Sequence, residues 1–264
     1  MISSLISFYL SSVLQPIMPI SNRETITIEE FAFSGILAEN TAIPIKRSEF
    51  ISPIIESKAA IAIDKKTGAT LYEKSSHERR QIASITKLMT AAIILEENEM
   101  DSIVTVTKLG ESEEGSTMFL HKNEQMTVEN LLYGLIINSA NDAAVTLAEF
   151  NSGSIEKFVE KMNKKAEILG LLDTHFQNPV GLDNKSNYSS AYDIAKLARY
   201  IYQHEFIKKA ATTKEMEVKS VDGKYTHPLK STNELLDSYL KIKGLKTGKT
   251  DQAGLCLATI AEND

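Results

Sequence analysis

One cysteine, Cys256, stands in 264 residues, so the chain has no intrachain disulfide framework and no thiolate metal cluster. Basic residues are in the minority: 29 Lys and Arg face 35 Asp and Glu, for a net charge of −6. Phosphate neutralisation needs the opposite imbalance, which argues against a nucleic-acid partner. The five histidines show no ligand spacing, and no internal repeat is visible. What is present is ordinary globular material. Apolar residues make up 42% and charged residues 24%, enough to bury a core, and the length suits one large domain with or without an appendage.

No charged side chain precedes Arg23. Within that stretch Ile2 to Leu14 is apolar and serine-rich, and Pro16 and Pro19 follow. A spanning helix needs about 20 mostly apolar residues, and the six serines and two prolines of 1–22 make a poor one. The shorter apolar run fits an export signal better, although the basic residues that open such signals are missing. The expected organisation is therefore an export signal over 1–22, a linker without clear period over 23–57, and a folded domain over 58–264.

Lys58 to Asp64 and Ala69 to Glu73 flank Lys65-Lys66-Thr67-Gly68, the pattern of a β-hairpin. From Ser84 the apolar period becomes helical, with Ile85, Leu88, Met89, Ala92, Ile93 and Leu95 predicting a central, buried helix that runs to Asn98. Thr127 is placed to cap a helix carrying Leu131, Leu132, Leu135 and Ile136, and Asn141 to Phe150 reads as another. A further helix starts at Ser154 and stops at Gly170, and Ser190-Ala-Tyr-Asp193 resembles a capping box. Strands return after residue 213: Glu215 to Lys219 and Lys224 to Leu229 around Asp222-Gly223, then Ile242 to Thr247 and Leu255 to Ile260. Strands at both ends with helices between them predict an α+β domain, an antiparallel sheet built from both chain ends with helices on both faces.

Three short motifs carry chemistry. Ser84-Ile-Thr-Lys87 puts a hydroxyl beside an amine one turn on, a nucleophile next to its base, provided the lysine pKa is depressed by burial or a second cation. Ser139-Ala-Asn141 offers a second hydroxyl and an amide, and Lys246-Thr247-Gly248 a cation, a hydroxyl and a bare backbone on a strand. Each recurs elsewhere, at Ser154–Lys157, Ser238–Lys241, Ser231–Asn233 and Lys66–Gly68. Order and context single out the first set. Its members are separated by 55 and 107 residues, leaving room for a helical region, and Ser84 opens the most apolar helix. Together the three are signatures of penicillin-binding proteins and class A β-lactamases.

The likeness extends further. Ile82-Ala-Ser-Ile-Thr-Lys-Leu-Met-Thr90, Asn138-Ser-Ala-Asn-Asp-Ala-Ala144, Asn178-Pro-Val-Gly-Leu-Asp183, Tyr188-Ser-Ser-Ala-Tyr-Asp193 and Gly244-Leu-Lys-Thr-Gly-Lys-Thr-Asp251 resemble the low-molecular-weight D-alanyl-D-alanine carboxypeptidases. The resemblance spans roughly residues 58–261. It implies a serine peptidase that removes the terminal D-alanine from peptidoglycan stem pentapeptides and is inhibited by β-lactams. Ser84 would be acylated, Lys87 its base, and Ser139 a proton relay, with Asn141, Lys246, Thr247 and Gly248 binding substrate. The oxyanion hole would be the N–H groups of Ser84 and Lys249. It implies no metal or cofactor and an extracytoplasmic setting in the bacterial cell envelope.

Two departures stand out. Val180 occupies a place where the family often has His, a change expected to alter the cleft wall. The chain also ends at Asp264, where the family continues with another strand and a packing helix and often a membrane anchor. The chain is therefore expected to be a fragment of a longer product, with membrane association only through the N-terminal segment or a missing anchor. Rival readings are weaker. A class A β-lactamase needs a Glu-x-x-x-Asn that 150–180 lacks, and Gly244 to Thr250 has three residues between its glycines where a phosphate loop needs four. A non-catalytic wall-binding or antibiotic-sensing module is the remaining alternative.

Overall fold

A computed structural model describes residues 43–44, 51–111, 113, 115–238 and 241–262. The chain divides into Met1–Ala42 and Ile43–Asp264, and everything described falls in the second unit. The export signal expected over 1–22 lies outside the described residues, as does the linker expected over 23–57 apart from 43–44 and 51–57. The last of these, 51–57, carry no helix or strand. Among the described residues no helix is long and apolar enough to cross a membrane.

The first hairpin forms as expected. β1 (Ala60–Ile63) pairs antiparallel with β2 (Thr70–Lys74), and Asp64 closes the turn by accepting from the backbone and hydroxyl of Thr67. This Lys-Thr-Gly copy is thus a turn and nothing more. A 3₁₀ turn, Ala83–Thr86, then runs into α1 (Lys87–Glu97), whose first eight residues are all buried. An apolar helix of this kind gains its stability from packing on every side, at roughly 1.5–3 kcal/mol per buried Leu, Ile or Met side chain.

β3 (Ile103–Thr105), α2 (Lys108–Glu111) and β4 (Gln125–Thr127) follow, with β3 and β4 paired. Three-residue strands fall below the length at which alternation is readable, and none of the three elements was expected. α3 (Val128–Ile137) starts as predicted, with the Thr127 hydroxyl accepting from Asn130 N–H at 3.2 Å. α4 (Asn141–Ser152), α5 (Ile155–Ile168) and α6 (Ala191–Ile201) complete the helical layer around α1. Ser154 and Ser190 cap α5 and α6. The Ser190 box is only half closed, because Asp193 turns away to accept from Asp173 N–H and the Thr174 hydroxyl. The Ser154–Lys157 copy of the first motif is therefore a helix cap.

α7 (Glu205–Thr212) carries little sequence signal, because two lysines interrupt its short apolar stripe of Ile207, Ala210 and Ala211. β5 (Glu215–Lys219) and β6 (Thr226–Lys230) form the Asp-Gly hairpin, and β7 (Ile242–Thr250) pairs with β8 (Gly254–Ala261). The architecture is the expected mixture of helices and antiparallel strands. Strand pairing among the described residues gives four two-stranded ladders, with isolated bridges at Arg80–Ser189 and His175–Tyr188. The hairpins from the two chain ends meet through helix α6, which packs on both β1 and β8, and through the Lys65–Glu262 ion pair.

One buried polar link ties the segment before α3 to the β5/β6 hairpin. His227 on β6 sets Nε2 2.6 Å from Glu124 Oε1 and Nδ1 2.8 Å from the Met118 carbonyl, all shielded from solvent.

Candidate active site

Ser84 lies in the 3₁₀ turn and Lys87 is the first residue of α1. In a 3₁₀ turn residues i and i+3 eclipse, so the lysine side chain rises directly beside the serine. Lys87 Nζ donates to Ser84 Oγ at 3.0 Å and to the Val180 carbonyl at 2.8 Å. It is fully buried. Burial is the main force pushing its pKa well below the ordinary lysine value, and the cation of Lys246 adds to the effect, opposed by Asp142 and Glu113.

Lys246 comes from the middle of β7 and is also buried, its Nζ donating to the Thr247 carbonyl at 2.9 Å. Burial lowers its pKa to about 7. Both lysines are depressed by burial, and each cation disfavours the other, so the pair holds its second proton weakly.

Two glycines make this crowding possible. A Cβ on Gly248 would sit 2.8 Å from Ser84 N, so a bare backbone there lets β7 lie against the serine. A Cβ on Gly181 would sit 2.0 Å from the Ala83 carbonyl oxygen, and Gly181 has φ +90°. Asn178 shapes this loop by accepting from the N–H groups of Val180 and Gly181 at 3.2 and 2.6 Å, which aims the Val180 carbonyl at Lys87. Val180's contribution is thus its backbone. Its side chain is buried in the apolar core. The sequence signal was present in the Asn178 and Gly181 pair, an Asx turn ending in a glycine.

Ser139 sits in the break between α3 and α4 with φ +59°, a left-handed conformation that a non-glycine residue adopts only under outside constraint. The constraint is visible on both sides. Asn138 Nδ2 donates to the Thr117 carbonyl at 2.7 Å, and Ser116 Oγ to the Asn138 carbonyl at 2.6 Å. Asn141 N–H donates to the Ser116 carbonyl at 2.6 Å. Asp142, buried at the start of α4, accepts from Met118, Leu120 and Ala143 N–H groups. Burial raises its pKa, and those three donors oppose the shift.

Lys87 touches Ser84 directly, the charge of Lys246 acts on Lys87, and Gly248 brings β7 against the backbone of Ser84. Thr247 follows Lys246 on β7, half-buried, and Lys249 lies exposed one residue beyond Gly248. The Ser238 copy of the first motif donates its hydroxyl to the Leu235 carbonyl at 2.7 Å, a local turn. Among the described residues no group of three His, Cys, Asp or Glu side chains is placed to hold a metal ion. A serine hydroxyl beside a lysine whose pKa is depressed is an arrangement able to generate a nucleophile.

The profile of the peptidase family described as D-alanyl-D-alanine carboxypeptidase matches residues 46–264. The chain belongs to that family. It is 44% identical over 213 residues to the D-alanyl-D-alanine carboxypeptidase DacF of Bacillus subtilis, covering 78% of this chain and 54% of that protein. Against the D-alanyl-D-alanine carboxypeptidase of Streptomyces strain K15 it is 33% identical, covering 86% of this chain and 84% of the relative. The solved structure of the Streptomyces K15 DD-transpeptidase superposes with a TM-score of 0.76 over 81% of this chain and 88% of that one, at 33% identity. The chain thus spans little more than half the length of its Bacillus relative and most of the Streptomyces one.

Proposed function

We propose that residues 58–264 form a serine-type D-alanyl-D-alanine carboxypeptidase domain acting on peptidoglycan stem peptides in the bacterial cell envelope. The observation that carries this reading is the contact between a buried, proton-poor Lys87 and Ser84 Oγ. Lys87 takes the hydroxyl proton as Ser84 Oγ attacks the carbonyl carbon of the penultimate D-alanine. The resulting oxyanion is held by the N–H groups of Ser84 and Lys249, donors of a kind that contribute about 3–4 kcal/mol each to transition-state stabilisation. The peptide C–N bond then breaks, and the proton passes through the Ser139 hydroxyl to the departing D-alanine amine. Asn141 holds the substrate backbone, while Lys246 and Thr247 bind the terminal carboxylate. A water molecule, deprotonated by Lys87, cleaves the Ser84 ester, so peptide plus water yields the shortened peptide and free D-alanine. No cofactor enters this scheme. A β-lactam presents a strained amide in place of the D-alanyl-D-alanine bond and would acylate the same serine.

The test is incubation with a diacetyl-Lys-D-Ala-D-Ala peptide and, separately, with fluorescent penicillin followed by mass spectrometry. Release of D-alanine and an adduct on Ser84, both abolished in a folded Ser84→Ala variant, support the proposal. An adduct on Ser154, on Ser238 or nowhere sinks it.

A further inference from the structure

The second Ser-x-Asn copy, Ser231-Thr232-Asn233, has no place in the scheme above, yet the fold delivers it to the same site. Thr232 Oγ1 lies 2.7 Å from Thr247 Oγ1, a hydroxyl-to-hydroxyl hydrogen bond between the turn after β6 and the strand β7. The turn is rigid on both sides of that hydroxyl. Ser231 N–H donates to the Lys214 carbonyl at 2.7 Å, and Thr232 N–H to the Ile137 carbonyl at 3.2 Å. Buried Asn233 accepts from Leu235 N–H at 3.1 Å, capping the short 3₁₀ helix Glu234–Asp237. Ile137 ends α3 two residues before Ser139, so the backbone of Thr232 is anchored to the Ser139 turn while its side chain reaches Thr247.

A hydroxyl has one proton and two lone pairs. If Thr247 spends its proton on a substrate carboxylate, its oxygen can only accept from Thr232, and the two form a chain ending on the anion. Such a chain fixes the rotor of Thr247 and polarises its O–H toward the negative charge. Thr232 is itself exposed to solvent.

We propose that Thr232 is a positioning residue for recognition of the substrate's terminal carboxylate, acting by donating to Thr247. The inference rests on the carboxypeptidase reading and deepens it. Four variants test it: Thr232→Val, which keeps the shape and removes the hydroxyl, Thr232→Ser, which keeps the hydroxyl, Thr247→Val, and Thr232→Val combined with Thr247→Val. Each is assayed on the diacetyl-Lys-D-Ala-D-Ala peptide and on a p-nitrophenyl ester of the same acyl-D-alanine, which lacks the terminal carboxylate. Thr232→Val should lower kcat/KM on the peptide about tenfold, chiefly through KM, as expected for losing one hydrogen bond from a chain that ends on a charged group. The ester should be hydrolysed at the wild-type rate, Thr232→Ser should recover most of the loss, and the double variant should be no worse than Thr247→Val alone. Equal losses on peptide and ester, an unchanged peptide reaction, or additive effects of the two threonines would each overturn the inference while leaving the carboxypeptidase intact. A wild-type protein that reacts with neither substrate would remove both.

Discussion

At the residue scale the proposed chemistry turns on two buried lysines that lie far apart in sequence. Both are stripped of water, and the cation of Lys246 lowers the pKa of Lys87 further. Replacing Lys246 by Gln removes the cation but keeps much of the burial, so the pKa of Lys87 should rise. A base works only in its neutral form, so the acid limb of the acylation profile should move to higher pH. The measurement is the pH dependence of fluorescent-penicillin acylation for wild type and Lys246→Gln. An unmoved acid limb would mean that desolvation alone sets the pKa of Lys87.

At the scale of elements, the site depends on how closely three backbones approach: the 3₁₀ turn bearing Ser84, the strand β7 and the loop around Gly181. Gly181 and Gly153 both have positive φ, but they differ in surroundings. A Cβ at Gly181 collides with the Ala83 carbonyl, whereas a Cβ at Gly153 meets nothing within 4 Å. Gly153→Ala should therefore cost only the conformational penalty of about 1 kcal/mol. Gly181→Ala must also push the loop off the 3₁₀ turn, for a loss of roughly 2–4 kcal/mol with the Val180 carbonyl displaced from Lys87. Urea unfolding of the two variants, with acylation rates alongside, measures the difference. Equal stability losses would show that the close approach is not tightly held.

For the whole molecule, the buried lysines tie folding to pH. Unfolded, each binds its proton near the ordinary 10.5, whereas the folded state holds Lys246 at about 7 and Lys87 well below its ordinary value. Between about pH 7 and 10.5 the unfolded chain therefore carries more protons, and stability rises with pH. The stabilisation is complete above 10.5 and lost as pH falls through about 7. Urea midpoints measured across that window should climb, and the rise should flatten in Lys246→Met by an amount on the order of a few kcal/mol. A flat wild-type profile would contradict the burial of these charges.

Much of this was legible in the chain itself. Helix starts at Thr127, Ser154 and Ser190, the Asp-Gly hairpin and the apolar run of α1 depend on neighbours within one turn, and local sequence determines such features. The order of the three motifs was legible too. Sequence could not settle what each copy of a motif does, because a serine and a lysine three residues apart form a helix cap at Ser154, a turn near Ser238 and a buried side-chain contact at Ser84. Only tertiary packing separates them, since desolvation and a cation from a strand more than 150 residues away shift Lys87, and neither acts along the chain. The Val180 carbonyl and the Thr232 hydroxyl belong to the same class. A carbonyl has no residue identity to read, and a threonine becomes part of a site only when folding brings another hydroxyl within 2.7 Å.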